Sequence, residues 1–285
     1  MSVRDLIILG SSSQQPTRFR NHPGYLLRWN EEGFLFDPGE GTQRQFIFSN
    51  ISPTSVTRIF ISHFHGDHCL GLGSMLMRLN LDHVKHSVHC YFPASGYRYF
   101  NRLRFGTSYH ERIKVIAHPV EKPGLVDETE CFTFESFPLI HAIETFGWRI
   151  KEKTKRKFHA PSLEKYGIKG SAIRNLIENE WIDTPSGRIG IDQVSFMQEG
   201  DIFAYVTDTL ACDQAILTAQ NAKLFLCEST YLESEKHLAM QNLHMTAKEA
   251  ASIAKHAHVG QLILTHFSGR YQDTSPFLEE AKTIR

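Results

Sequence analysis

Short runs of apolar and β-branched residues, broken at close intervals by polar turns, fill the first third of the chain. They predict strands at Asp5–Leu9, Gly24–Trp29, Gly33–Phe36 and Thr57–Ser62. A helical stretch follows from Leu70 to Leu81, then strands near Ser87–Phe92, Arg112–Ile116, Cys131–Phe137 and Thr145–Ile150. The last third alternates: strand Ile202–Thr207, helix Cys212–Gln220, strand Lys223–Cys227, helix Thr246–Val259, strand Gln261–Thr265. Strands with intervening helices in both halves point to an α/β architecture of two sheets covered by helices, not one doubly wound parallel sheet. Between the halves, Lys151 to about Gln193 turns basic and polar, with short helical pieces at Leu163–Tyr166 and Ser171–Trp181 and a turn at Pro185–Gly187. This stretch reads as an arm inserted into a single domain spanning residues 1–285.

Composition changes this picture little. The 285 residues are 41% hydrophobic, enough to bury a large core. Lys plus Arg and Asp plus Glu both number 31, so no global field draws the protein to nucleic acid, and any such binding needs a local patch. One exists in the arm, where Lys151, Lys153, Lys155, Arg156 and Lys157 are diluted only by Glu152. The five cysteines (Cys69, Cys90, Cys131, Cys212, Cys227) are odd in number and scattered, which predicts reduced packing thiols and a cytoplasmic protein. The apolar run Leu6–Leu9 is too short for a signal-peptide core, and no stretch approaches transmembrane length.

The chemistry concentrates at His63, His65, Asp67 and His68, directly after an apolar strand. His63 and His65 are two apart, so in extended backbone both imidazoles point to one side and can share an ion. Gly66 lets the chain turn, which brings Asp67 and His68 to a second ion. Neutral imidazole with carboxylate suits zinc, and manganese or iron would accept the same donors. Four ligands do not fill two ions, so others must come from elsewhere. His141, Asp208 and His266 each follow an apolar strand, and strand ends at one sheet edge converge. Asp208 is the natural bridge, because its two oxygens can reach two ions about 3.5–4 Å apart. His83, His86 and His89 are evenly spaced, but one sits in a strand and two flank a turn, which argues against common ligation. Trp29, Trp148 and Trp181 read as core.

The HxHxDH cluster, His141, Asp208 in VTDT and His266 in THFSGRY together resemble the metallo-β-lactamase superfamily. The finer resemblance is to the ribonuclease Z family of tRNA 3′-processing endoribonucleases. It rests on FDPGEGTQ (Phe36 to Gln43), PTRFRN (Pro16 to Asn21), FGWRI (Phe146 to Ile150), HMTAKEAA (His244 to Ala251) and THFSGRY (Thr265 to Tyr271). It implies an αββα sandwich of two mixed sheets flanked by helices. It also implies two zinc ions per subunit, one on His63, His65 and His141, the other on Asp67, His68 and His266, with Asp208 between them. The ions would supply hydroxide near neutral pH to attack a phosphodiester of precursor tRNA, releasing the 3′ trailer and leaving a tRNA 3′-hydroxyl.

Within that resemblance Asp67 takes the proton of the attacking water, and His244 donates to the leaving oxygen while Glu228 orients it. Thr246 and Glu249 form a capping box that fixes the entry to the helix beyond His244. Arg18 and Arg20, Gly39 to Thr42 (Thr42 with its hydroxyl), Ser268 and Arg270 are expected substrate contacts, together with the lysines and arginine of the arm. A homodimer is implied, one subunit's arm holding the tRNA that the other cuts. The chain departs from the family in carrying GIKGS (Gly167 to Ser171) where a Gly-Pro pair is usual, CEST for HEAT, and HMT for HST. It ends at Arg285 in a helix-like stretch where the family continues into a last strand, so either a truncated sequence or a shortened tail is expected. Two competing readings are hydrolysis of small phosphodiesters or other esters on the same scaffold, and an RNA-binding relative without activity. The intact ligand set counts against the second.

Overall fold

The computed structural model describes residues 4–284. Strands β1 (Arg4–Gly10), β2 (Gly24–Trp29), β3 (Glu32–Phe36), β4 (Arg58–Phe60), β5 (Val88–Pro93) and β6 (Val115–Val120) form one six-stranded sheet in that order. It is mixed: β1, β2 and β3 pair antiparallel, while β3 to β6 pair parallel. In chain order there follow β7 (Gly124–Glu128), β8 (Phe132–Pro138), β9 (Phe146–Glu152), β10 (Lys155–Phe158), β11 (Trp181–Thr184), β12 (Gly187–Gly190), β13 (Ser195–Gln198), β14 (Ile202–Val206), β15 (Leu224–Glu228) and β16 (Gln261–Thr265). A second six-stranded sheet runs β16-β15-β14-β9-β8-β7, parallel across β14, β15 and β16.

Period-two alternation explains the layers. In β3, Phe34 and Phe36 point between the sheets, where Phe34 meets Phe134 (ring centroids 5.7 Å) and Phe36 meets Phe203 (5.2 Å). Leu35 between them points outward, into a cluster with Leu72, Met75, Leu76 and Leu79 of the helix Leu72–Leu81. The opposite flank is built the same way: Ala204, Val206, Phe225 and Cys227 pack on Ala250, Ile253 and Ala254 of the helix Ala247–His256. Two sheets with aromatic rings between them and helices outside give the αββα sandwich.

The contacts divide the chain into two compact units. The larger comprises the residues up to Glu128, Phe134–Ile150 and those from Ile202 onward, and it holds both sheets' cores. The smaller comprises Thr129–Thr133 and Lys151–Asp201. Within it β10 pairs with β13 and β11 with β12, and Ile168, Leu176, Ile189, Ile191 and Val194 are buried together. Its helices are Ala160–Lys165 and Ser171–Asn179. The GIKGS segment turns the chain between them, with Gly167 at φ 68° and Gly170 at φ 58°.

Several expected boundaries move. The strand at Thr57–Ser62 shortens to Arg58–Phe60, because the amide and hydroxyl of Ser62 leave the sheet to bond Asp37. The helices Thr42–Phe48, Tyr97–Arg104 and Lys236–Asn242 were not apparent from the pattern. Trp181, expected in a core, is 42% exposed under the Arg188 guanidinium, 3.7 Å from its ring centroid. Cys131 is exposed where packing was expected. Among the described residues no helix is long and apolar enough to cross a membrane.

Candidate metal centre

The C-terminal ends of β4, β8, β14 and β16 deliver the candidate ligands, each a polar residue beyond an apolar strand. His63 and His65 follow β4; His141 follows β8; Asp208 stands two residues past β14; His266 is the first residue after β16. Asp67 and His68 arrive differently from the expectation. Gly66 makes no sharp turn but begins the short helix Gly66–Cys69, and that single turn aims both side chains inward. Asp208 (φ 41°) and His266 (φ 60°) hold left-handed backbone, which costs roughly 1–3 kcal/mol at a non-glycine residue and needs surrounding structure to hold it.

Two donor groups result. In the first, His63 Nε2 lies 3.0 Å from His65 Nδ1, His141 Nε2 lies 3.2 Å from His65 Nδ1, and Asp208 Oδ2 lies 3.4 Å from His63 and 3.7 Å from His141. In the second, His68 Nε2 lies 3.2 Å from His266 Nε2 and 3.3 Å from Asp67 Oδ2, while Asp208 Oδ1 lies 3.3 Å from His68 and 3.1 Å from His266. The two oxygens of Asp208 therefore face different groups. An ion bonded to nitrogen or oxygen at about 2.0–2.2 Å in tetrahedral fashion separates its ligands by roughly 3.3–3.6 Å, so these spacings fit a divalent metal in each group.

The far side of most rings is held, which sets the nitrogen each offers inward. His63 Nδ1 meets Ser62 Oγ at 2.9 Å, His68 Nδ1 meets Asp37 Oδ2 at 2.8 Å, His141 Nδ1 meets the Leu243 carbonyl at 3.2 Å, and His266 Nδ1 meets Thr230 Oγ1 at 2.9 Å. Burial pushes the His63 imidazole down to about 4, and burial also lowers His65 and His141, which keeps these rings neutral and able to donate a lone pair. Burial opposes ionisation of Asp67 and Asp208, but the facing imidazoles outweigh it and hold both carboxyls well below the usual range.

Sequence reasoning missed Asp37 and Thr230. Asp37 is fully buried and accepts from the Ser62 amide (2.6 Å), the Ser62 hydroxyl (2.6 Å) and the Tyr205 hydroxyl (2.7 Å) besides holding His68. It lies in the FDPGEGTQ segment, where it is one polar residue at a turn. Glu228, the buried last residue of β15, accepts from the Thr209 amide (2.6 Å) and from His244 Nδ1 (3.0 Å) through one oxygen and from the Thr230 hydroxyl (2.6 Å) through the other. Burial pushes the His244 imidazole down, but the Glu228 carboxylate beside it prevails and raises it to about 9. The expected capping box is present: Thr246 Oγ1 accepts from the Glu249 amide at 3.2 Å, and Glu249 Oε2 accepts from the Thr246 amide at 3.0 Å.

An open cavity of about 850 Å³ lies over the cluster, with His65, Asp67, His141, Asp208 and His244 in its wall. Ser268 and Arg270 line it, and Arg270 is ion-paired with Glu235. The other expected substrate contacts lie outside this wall. Thr42 is fully buried and gives its hydroxyl to the Gly39 carbonyl at 2.8 Å, so it cannot reach a phosphate. Gly39 is there for close packing, since a Cβ would stand 2.1 Å from the Asp67 carbonyl oxygen. Arg20 is spent on the carbonyls of Tyr271 (2.5 Å) and Gln272 (3.3 Å), bracing the loop after β16. Arg18 is exposed beside a separate cavity of about 470 Å³. In the smaller unit Lys155 pairs with Glu152 (2.6 Å) and Arg156 with Asp192 (2.5 Å), so the run does not present five bare charges. Lys151, Lys155 and Lys157 are exposed, Lys153 partly so. His86 bonds the Val56 carbonyl and His89 bonds His118, so the evenly spaced histidines do not converge.

Comparison with known proteins gives likenesses over the whole chain. The model of the metallo-beta-lactamase superfamily matches residues 17–143. Ribonuclease Z of Protochlamydia amoebophila (strain UWE25) is 61% identical over 284 residues, covering 100% of this chain and 93% of that protein. Ribonuclease Z of Chlamydia trachomatis serovar L2 is 57% identical over the same length, again with 100% and 93% covered. The crystal structure of human tRNase Z, short form, superposes with a TM-score of 0.71 at 24% identity, covering 96% of this chain and 95% of that one; this last likeness is one of fold.

Proposed function

This chain belongs to the ribonuclease Z family of the metallo-β-lactamase superfamily, and from that premise we propose how its residues carry the activity. It is a metal-dependent endoribonuclease that removes the 3′ trailer of precursor tRNA. The observation that carries the mechanism is the placement of Asp208, one oxygen toward each of two histidine groups on the wall of an open cavity.

His63, His65 and His141 would hold one zinc ion, Asp67, His68 and His266 the other, and Asp208 both; manganese or iron would fit the same donors. When bound, such ions lower the pKa of water and neutralise charge on phosphate. Asp67 holds the attacking water and receives its proton, its own position fixed by the Gln14 amide at 2.9 Å. His244 is the proton donor to the ribose 3′ oxygen: Glu228 occupies its Nδ1, which leaves Nε2 for the substrate side. Because the bond from phosphorus to the 3′ oxygen breaks, the tRNA leaves with a free 3′-hydroxyl. The exposed lysines of Lys151–Lys157 supply the backbone-directed charge that a folded RNA requires. We place the protein in the cytoplasm as a homodimer, each subunit's arm holding the tRNA cut by its partner.

The test is incubation of the purified protein with a tRNA bearing a 3′ extension, with and without chelator, and mapping of the cut. A single cut at the 3′ side of the tRNA body, abolished by chelator and restored by zinc, is expected. Cleavage that persists after metal removal would overturn the reading.

A further inference from the structure

One carboxylate stands between the two halves of the site. Parallel pairing of β15 with β16 sets Glu228 opposite Thr265, and the Ser229 amide continues the ladder to the Thr265 carbonyl at 2.8 Å, which places Thr230 beside His266. Thr230 is 1% exposed. Its hydroxyl lies 2.6 Å from Glu228 Oε2, 2.9 Å from His266 Nδ1 and 3.3 Å from His244 Nδ1. A hydroxyl has one proton and two lone pairs, and an ionised carboxylate only accepts. The Thr230 proton therefore goes to Glu228, and His266 Nδ1 must donate to Thr230. That assignment leaves the lone pair of His266 on Nε2, the atom 3.1 Å from Asp208 Oδ1 and 3.2 Å from His68 Nε2.

We infer that Thr230 is a positioning residue of the metal centre, through which Glu228 fixes the ring nitrogen that His266 offers to the metal while holding His244 with its other oxygen. The inference rests on the proposed metal centre and deepens it. Without the hydroxyl, His266 Nδ1 would lose its acceptor, and Asp208 Oδ1, 3.1 Å from Nε2, would draw the ring proton to the nitrogen that faces the metal position. Outer hydrogen bonds of this kind, when broken, cost about 10–100-fold in metal affinity.

The test pairs Thr230→Val, which keeps the volume and removes the hydroxyl, with Thr230→Ser, which keeps the hydroxyl. Two readouts are taken: zinc affinity by competition with a chromophoric chelator, and the His266 ring tautomer by nitrogen NMR of the metal-free protein. Thr230→Val should weaken zinc binding by about 10–100-fold and lose the protonated Nδ1 signature, and Thr230→Ser should stay close to wild type. Wild-type tautomer or affinity in Thr230→Val would overturn the inference. So would an equal loss in Thr230→Ser, which would make the methyl group responsible. Failure of the wild-type protein to bind zinc would instead refute the metal centre, and the metal-free tautomer would still judge the role of Thr230.

Discussion

Replacing Asp37 by Asn tests whether one buried carboxylate organises the metal centre from behind. Its oxygens receive four donors: the Ser62 amide on Oδ1, and the Ser62 hydroxyl, the Tyr205 hydroxyl and His68 Nδ1 on Oδ2. The amide side chain keeps a single acceptor oxygen: with that oxygen at the Oδ2 position its NH2 faces the Ser62 amide, and with it at Oδ1 the two hydroxyls and His68 must turn to accept instead. Hydrogen bonds to a charged group contribute about 1.5–3 kcal/mol and neutral ones about 0.5–1.5, so three weakened bonds and one donor left facing another cost about 3–5 kcal/mol. Relief of the buried charge offsets part of this, which favours the lower end. At about 2–4 °C per kcal/mol, thermal unfolding in chelator should shift down by roughly 5–15 °C. With metal present, Asp37→Asn should also bind zinc about 10–100-fold more weakly, because His68 loses the partner that orients it. An unchanged melting temperature together with wild-type zinc affinity would refute the argument, since an amide cannot accept from all four groups in their present places as the carboxylate does.

Two further outcomes follow from the same geometry. His244→Ala should lower kcat on precursor tRNA by about 10²–10⁴-fold while metal content stays at the wild-type level; loss of metal would instead move His244 among the ligands. Charge reversal at the exposed Lys157 should raise KM for precursor tRNA and reduce the slope of log affinity against log salt by about 1, leaving hydrolysis of a chromogenic phosphodiester unchanged. An equal loss on both substrates would remove the arm from tRNA recognition.

The candidate ligand set is legible in the sequence because its information is local. HxHxDH falls within six residues, and His141, Asp208 and His266 announce themselves as polar residues directly after apolar strands. Asp37 and Thr230 carry no such mark. Asp37 meets Tyr205 from the other sheet across 168 residues, and in the sequence it is one more polar residue at a turn. Thr230 acts only because β15 and β16 run in parallel register, which no periodicity encodes. The helix Gly66–Cys69 is a single turn, too short to show a 3.6-residue period, so its role was mistaken for that of a flexible glycine. The basic run was overcounted for the same reason: Asp192, which neutralises Arg156, lies 36 positions away. The hydroxyl of Thr42 looked available in a glycine-rich turn and is buried beneath it.

In the proposed centre Asp208 bridges two metal sites, and metal stoichiometry tests that role most directly. Zinc titrated into metal-free protein, followed by removal of the excess and elemental analysis, should give two ions per chain, and Asp208→Ala should retain neither tightly. One ion per chain in the wild type, or two still tightly held by Asp208→Ala, would contradict it.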